Sequence, residues 1–224
     1  IKDIILKMKN SEELVFANAK VNLALHVTGR RGDSYHFLDS LVVFPKIKDK
    51  LVIKEANNFS VSIGGEFSDC VDPEENSVIK AYELVKNKLH SNFSIHLEKN
   101  IPVGAGLGGG SADSAAVLRY FHEKYKIEIP RNEIIAQIGA DVPVCVSEKF
   151  QRMRGIGEIT EEIRGNNFEL WMVLVNPRTN VSTGKIFQSL KEKENKGLEN
   201  FKGFKTSRVF IEYLLRQRND LQSV

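Results

Sequence analysis

Apolar and polar residues alternate through Val21, Leu23, Leu25 and Val27, with Asn22, Ala24 and His26 between them. This period of two predicts a half-buried strand. Phe59, Val61 and Ile63 repeat it, as do Phe93, Ile95 and Leu97, and Leu51–Ile53 is a shorter apolar run. Val78, Ala81, Tyr82, Val85 and Leu89 instead fall on one helical stripe, with Asn76 or Ser77 as its N-cap. A second helix is expected from Ser111 to about Phe121, where Ala112, Ala115 and Ala116 would let it approach a sheet closely. Ile134–Ile138 reads as a short helix stopped by Gly139. Trp171–Val175 reads as a strand covered on both faces and ended by Asn176–Pro177, and Ser207–Arg218 as an amphipathic helix. Lys191–Lys205, rich in Lys, Glu, Asn and Gly, reads as a mobile solvated loop. No internal repeat is present. Strands come in meandering clusters with helices between them, which favours α+β over a doubly wound parallel sheet. A boundary near Gly155–Gly157 would divide the chain into residues 1–155 and 156–224.

Composition narrows the classes. With 224 residues, 42% of them hydrophobic and 27% charged, the chain is an ordinary globular mixture rather than a disordered one. No stretch approaches 18 apolar residues, so no membrane segment is expected. A net charge of +3 is too mild for a dedicated nucleic-acid binder, yet it tolerates an anionic small substrate. Cys70 and Cys145 form neither a CxxC pair nor a metal-ligand cluster, and the sequence shows no signal peptide. A reduced, cytoplasmic protein is therefore expected. The chain begins at Ile1 rather than Met, so its true start is expected to lie upstream. His26, His90, His96 and His122 are scattered without ligand spacing and read as surface or ordinary strand residues.

The chemistry concentrates in Pro102-Val103-Gly104-Ala105-Gly106-Leu107-Gly108-Gly109-Gly110-Ser111-Ala112. Five glycines in seven residues leave backbone N–H groups free to converge on an anion. A helix starting there adds its own N–H groups and the positive end of its dipole. The segment suits a polyphosphate better than a plain turn. Gly104, Gly106 and Gly109 satisfy GxGxxG, but the loop sits mid-chain and no strand leads straight into it, unlike a dinucleotide-binding loop. It lacks the lysine of a Walker A loop, and the protein-kinase elements are absent.

The pattern resembles the phosphate loop of the GHMP small-molecule kinases, named for galactokinase, homoserine kinase, mevalonate kinase and phosphomevalonate kinase. Three more segments are similar to signatures of one branch of that superfamily. They are Ala19–Leu25 with Gly29-Arg30-Arg31-Gly32-Asp33-Ser34-Tyr35-His36, then Gly139-Ala140-Asp141-Val142-Pro143, then Arg154-Gly155-Ile156-Gly157-Glu158. The resemblance covers about Phe16 to Phe187. It implies an N-terminal nucleotide-binding domain like the second domain of ribosomal protein S5, then a smaller ferredoxin-like domain, with the site in the cleft between them. The activity implied is ATP-dependent phosphorylation of the 2-hydroxyl of 4-diphosphocytidyl-2-C-methyl-D-erythritol, a step toward isoprenoid precursors by the non-mevalonate route. ATP and Mg²⁺ are the implied cofactors, and the cytidyl diphosphate the implied partner, with no nucleic acid or membrane. Another GHMP kinase, for homoserine or a sugar, and a nucleotide-binding relative without catalysis are the alternatives. The second lacks a reason for Asp141 and Lys20.

The resemblance also implies roles. Asp141 is the general base and Lys20 the cation that keeps it ionised and oriented. Ser111 reaches a phosphate oxygen or Mg²⁺, a role that can coexist with a plain N-cap. Asn76 and Lys99 map to the ATP side, and Asn22 and Thr183 to the acceptor side. Tyr35 and His36 clamp the nucleobase, with Phe187 closing the sandwich. The chain departs from the pattern at Ser34, where a glycine is usual, and at Ser147–Arg154, which is shorter. It also ends at Val224, before the usual closing glycine motif, so the second domain is expected to be incomplete.

Overall fold

The computed structural model describes residues 12–33, 35–74, 76–166, 168–177 and 183–222, and of Thr183 only the backbone. Ser34, Val181 and Ser182 lie outside the described residues, so the expected cost of a non-glycine residue at Ser34 finds no test here.

Two four-stranded sheets share the strands. The first contains β1 (Glu13–Asn18), β4 (Lys48–Ala56), β5 (Ser60–Gly64) and β6 (Asn92–Glu98) in the order β1-β4-β6-β5. Its pairs are antiparallel except β5 with β6, whose crossover carries helix α1 (Ser77–Val85). Parallel neighbours need such a crossover. The second contains β2 (Val21–Arg30), β3 (His36–Val43), β7 (Gln151–Gly155) and β8 (Ile159–Glu162), antiparallel throughout and in the order β2-β3-β7-β8. The expected α+β mixture is present.

The alternation in β6 buries Phe93, Ile95 and Leu97 against α1 and the longer helix α2 (Gly109–Tyr125). Phe93 and Phe121 meet edge to face at 4.9 Å, with Tyr82 and Tyr125 around them. Ala112, Ala115 and Ala116 are fully buried, which lets α2 lie close to α1 and β1. Asn76 caps α1, its side chain accepting the Val78 N–H at 2.8 Å. Helix α2 starts two residues earlier than expected. Gly108, at φ 64°, supplies the left-handed turn into it and accepts the Ala112 N–H. Ser111 is thus inside the first turn and is not its N-cap. Short helices α3 (Asn132–Ile135) and α4 (Val142–Ser147) follow, then α5 (Thr183–Ser189) and α6 (Ser207–Leu214).

Two expectations change. Trp171–Val175 is irregular backbone with Trp171 98% exposed, not a strand covered on both faces. An apolar run needs ladder partners to become a strand, and among the described residues none pairs with it. The charged run Lys191–Lys205 is a packed cover rather than a mobile loop. Leu198 and Phe204 are buried with Phe210 and Tyr213 against Ala24 and Leu41 of the second sheet. Asp39 on β3, held by Arg152 at 2.6 and 2.7 Å, accepts the Leu198 N–H at 2.9 Å. His26 is buried. One ring nitrogen meets the Lys196 carbonyl at 3.0 Å and the other accepts the Arg218 N–H at 3.2 Å. That pairing requires the neutral ring with its proton on Nδ1. Residues 156–158 form the turn of the β7–β8 hairpin, in which Arg154 pairs with Ile159.

Candidate active site

The glycine loop leaves the end of β6 and runs into α2. Gly104, Gly106 and Gly108 have φ of 71°, 74° and 64°, a left-handed backbone that only glycine adopts readily. The Leu107 carbonyl accepts the Lys20 N–H at 2.8 Å, which ties the loop to the start of β2. The Gly110 carbonyl accepts the hydroxyls of Ser77 at 2.8 Å and Ser114 at 3.0 Å. A 17-residue helix therefore aims its N-terminus at the loop's concavity. Ser111 lines the cavity there, its hydroxyl beside Gly139, where an added Cβ would lie 3.0 Å away.

Beneath Gly108 stands an ion pair. Lys20 Nζ is 2.7 Å from Asp141 Oδ2 and donates to Asn22 Oδ1 at 2.8 Å. Asn22 in turn donates to Ser40 Oγ, which donates to the Ala24 carbonyl, both at 2.7 Å. Lys20 is buried, while Asp141 keeps 29% of its side chain accessible. Asp141 occupies the N-cap position of α4, yet its carboxylate makes no capping bond and is left for Lys20 and the cavity. The Arg154–Glu158 segment packs behind it. Gly157, at φ 125°, has no room for a Cβ because the Ala140 carbonyl lies against it. Glu158 accepts the Ile156 N–H at 2.6 Å and shapes that turn.

One cavity of about 1100 Å³ joins the loop, the ion pair and a second compartment. At the loop end Asn76 is buried, and its Nδ2 has no partner. Lys99, expected on the ATP side, lines the same end of the cavity, with its ammonium held between Asp49 at 2.5 Å and Asp113 at 2.7 Å. Burial pulls the Lys99 proton affinity down, but the two carboxylates outweigh it and hold it above the usual lysine range. Burial and the neighbouring Asp49 push the Asp113 carboxyl up to about 7 against the pull of Lys99.

At the other end, Phe187 on α5 lies face to face with His36, the ring centroids 5.1 Å apart and the planes at 22°. His36 Nε2 is buried without a partner. Burial, then Lys193 and Arg30, lower its pKa, so the ring is neutral near pH 7. Tyr35 borders the same cavity, half exposed, with the Arg31 guanidinium 5.6 Å from its ring centroid. Tyr35, His36 and Phe187 thus border one compartment, with Phe187 facing His36. Thr183 begins α5, and its side chain is outside the described residues.

Sequence reasoning missed several cavity residues: Arg30, Ile156, Lys193, Leu221 and Asp113. Arg30 lay within a motif already quoted. Lys193 lay in the charged run, and its position carries no sequence signal. Among the described residues, no three His, Cys, Asp or Glu side chains cluster to hold a metal ion, and no helix is long and apolar enough to cross a membrane.

Comparison with known proteins adds to this geometry. Residues 76–149 match the model of the GHMP kinases N terminal domain. The chain is 42% identical over 209 residues to the 4-diphosphocytidyl-2-C-methyl-D-erythritol kinase of Dinoroseobacter shibae, covering 92% of this chain and 71% of that protein. It is 40% identical over 226 residues to the enzyme of the same name from Agrobacterium fabrum, covering 95% and 75%. A crystal structure of 4-(cytidine 5'-diphospho)-2C-methyl-D-erythritol kinase superposes with a TM-score of 0.69 at 27% identity, covering 94% of this chain and 76% of that one.

Proposed function

The chain belongs to the 4-diphosphocytidyl-2-C-methyl-D-erythritol kinase family and is an ATP-dependent kinase of that substrate, and we propose how its residues divide the work. The division of residues into a nucleotide-binding part, 1–155, and a second part, 156–224, belongs to the same proposal. The reaction moves the γ-phosphoryl group of ATP to the 2-hydroxyl of the acceptor, on the non-mevalonate route to isoprenoid precursors.

The loop from Pro102 to Gly110 and the N-terminus of α2 hold the triphosphate through backbone N–H groups. The fit to ATP rests on two features: the left-handed glycines at 104, 106 and 108, and the unpartnered Nδ2 of Asn76 at the same end of the cavity. Asn76 offers that N–H to an acceptor on the base. Mg²⁺ accompanies the triphosphate, since Mg²⁺ is usually held by phosphates and one or two protein oxygens. Ser111 Oγ is the oxygen of this chain that would hold it, and the ion would supply positive charge to the phosphates. Lys20 orients Asp141, and Asp141 takes the proton from the attacking hydroxyl. Asn22 fixes Lys20 on the acceptor side.

At the far end, Tyr35, His36 and Phe187 receive the cytosine. A neutral His36 offers an unprotonated nitrogen or an N–H to the base edge according to its tautomer. Arg30 and Lys193 supply positive charge for the acceptor's diphosphate.

The observation that carries this reading is the Lys20–Asp141 pair, 2.7 Å long, directly beneath the phosphate loop. The test is ADP release by the purified protein with ATP and Mg²⁺, alone and with 4-diphosphocytidyl-2-C-methyl-D-erythritol, homoserine or a sugar, and phosphorus NMR of the product. Turnover confined to the cytidyl acceptor, with a new phosphomonoester, is expected. Turnover with homoserine or the sugar instead, or ATP binding without transfer to any acceptor, would overturn it.

A further inference from the structure

At the wall of the cavity beneath the phosphate loop sits a buried cluster of three charges. Asp49 on β4 is fully buried, and Lys99 and Asp113 expose 3% and 1% of their side chains. Asp49 Oδ1 accepts the N–H groups of Asn100 at 2.5 Å and Ile101 at 2.7 Å, the two residues that lead into the loop. Asp49 Oδ2 takes Lys99 Nζ, and Lys99 Nζ reaches on to Asp113 Oδ2, in the second turn of α2. The ammonium lies directly under the residue where loop becomes helix, because a Cβ on Gly109 would come within 2.8 Å of it. The Lys99 backbone is fixed as well: its N–H donates to the Gly64 carbonyl at 2.7 Å and its carbonyl accepts the Phe67 N–H at 3.0 Å. Both ends of the segment 102–108 are therefore attached to the same three side chains.

We propose that Lys99, with Asp49 and Asp113, is the positioning device of the phosphate loop: it sets the span between the loop's entry and the first turns of α2 and so the convergence of the N–H groups that bind phosphate. This inference rests on the reading of the loop as the ATP site. Two features separate it from a merely stabilising ion pair. A buried pair seldom stabilises a fold more than well-packed apolar residues would. Here the cluster also sets two carboxyl groups against one ammonium beside a polyphosphate site, and Asp113 Oδ1 has no partner. What the cluster does accomplish is geometric. It joins three points distant in sequence at 2.5–2.7 Å.

The test compares Lys99→Met, which leaves two carboxylates facing each other, with the double variant Lys99→Met/Asp113→Leu. The double variant removes the ammonium together with one of its two carboxyl partners, and Asp49 retains its two backbone N–H donors. It replaces the bridge by apolar contact, so its melting temperature should recover most of what Lys99→Met loses. Its KM for ATP should nevertheless remain about ten-fold or more above wild type, since small misplacements at a site are costly, while KM for the cytidyl acceptor changes less than about two-fold. A double variant with recovered stability and a normal KM for ATP would show that the cluster only stabilises, and equal rises in both KM values would point to general disorder. Amide exchange across 102–110 in Asp113→Asn, a gentler change, judges the inference without turnover. Faster exchange there than at Val142–Ser147 is expected, and an unchanged loop overturns the proposal. Loss of acceptor phosphorylation by the wild type itself would instead strike the functional reading, and is measured alongside.

Discussion

Gly108 and Gly106 allow the phosphate loop and the ion pair beneath it to be perturbed separately. Both hold left-handed backbone, φ 64° and 74°, so alanine at either position carries a similar conformational cost of about 1–2 kcal/mol. Their surroundings differ. A Cβ at Gly106 meets nothing within 4 Å, whereas one at Gly108 would lie 3.1 Å from Lys20 Cε, 3.3 Å from Lys20 Cβ and 3.8 Å from Asp141 Oδ2. Carbon atoms are comfortable at roughly 3.5–4.0 Å, so either Lys20 or the loop must give by a few tenths of an ångström. Lys20 has little slack, being held to Asp141 at 2.7 Å and Asn22 at 2.8 Å. Its displacement is passed directly to the base.

A misplacement on the order of 1 Å can cost about 100-fold in rate, so a shift of a few tenths should cost about ten-fold or somewhat less. For a chain of this size 1 kcal/mol corresponds to roughly 2–4 °C, so both variants should melt about 2–8 °C lower. Both should raise KM for ATP, because both disturb the N–H cradle. Only Gly108→Ala should also lower kcat at saturating ATP and acceptor. A coupled ADP assay with each substrate varied in turn, beside a thermal melt, separates these effects. Equal kcat for the two variants at saturation would refute the claim that Gly108 is glycine for the sake of Lys20 and Asp141 as well as for phosphate.

Asp141→Asn is nearly isosteric but cannot accept the proton, and should lower kcat about 10²–10⁴-fold with ATP affinity near normal; direct ATP titration and single-turnover kinetics check both halves. His36 has its pKa depressed by burial and by Lys193 and Arg30, so the fold favours the neutral ring: its contribution to stability is complete above the unfolded value of about 6.5 and is lost as pH falls through that value toward the folded one. Lys193→Ala should move the His36 NMR titration upward and raise KM for the acceptor but not for ATP, and a stationary titration would remove Lys193 from the site. Phe204→Ala should destabilise by about 3–5 kcal/mol if residues 191–205 form a packed cover, and a loss below about 1 kcal/mol in urea melts would return that segment to a solvated loop.

The sequence was most legible where backbone conformation dictates residue type. The run of glycines from Gly104 to Gly110 announces an anion cradle, because the left-handed turns at 104, 106 and 108 exclude other residues. The alternation of β2, β5 and β6 was equally plain. Strand β3 was not, because most of His36–Val43 is buried and pairs on both edges. Its Asp39 looks like a surface residue until Arg152 arrives from β7, far along the chain. The cover from Lys191 to Lys205 was misread because its average composition is charged. Leu198, Phe201 and Phe204 within it decide where it goes. Trp171–Val175 failed for the opposite reason: composition suited a strand, but pairing is a property of neighbours. At the site, the pairing of Lys20 with Asp141 came from resemblance, since their spacing along the chain says nothing of distance. The burial of Lys99 was invisible for the same reason.

The two lysines placed near ATP by the sequence therefore do different work, and burial decides which does what. Lys20 has one carboxylate partner, and that partner remains 29% accessible, so the pair can act on a hydroxyl that enters the cavity. Lys99 has two buried carboxylate partners and is only 3% exposed at the cavity wall, so its charge is answered largely inside the protein. The loop lies between them, touched by Lys20 through the Leu107 carbonyl on one side and anchored by Lys99 on the other. Because neither ammonium replaces the backbone donors, the cradle can bind phosphate by N–H groups alone. That accounts for a kinase loop with no Walker lysine. It also makes the base and the cradle mechanically dependent, since Gly108 rests on Lys20 while Lys20 orients Asp141. A shift of the loop on phosphate binding would reach Asp141, the proposed base, through the side chain of Lys20, and would so couple ATP occupancy to its orientation.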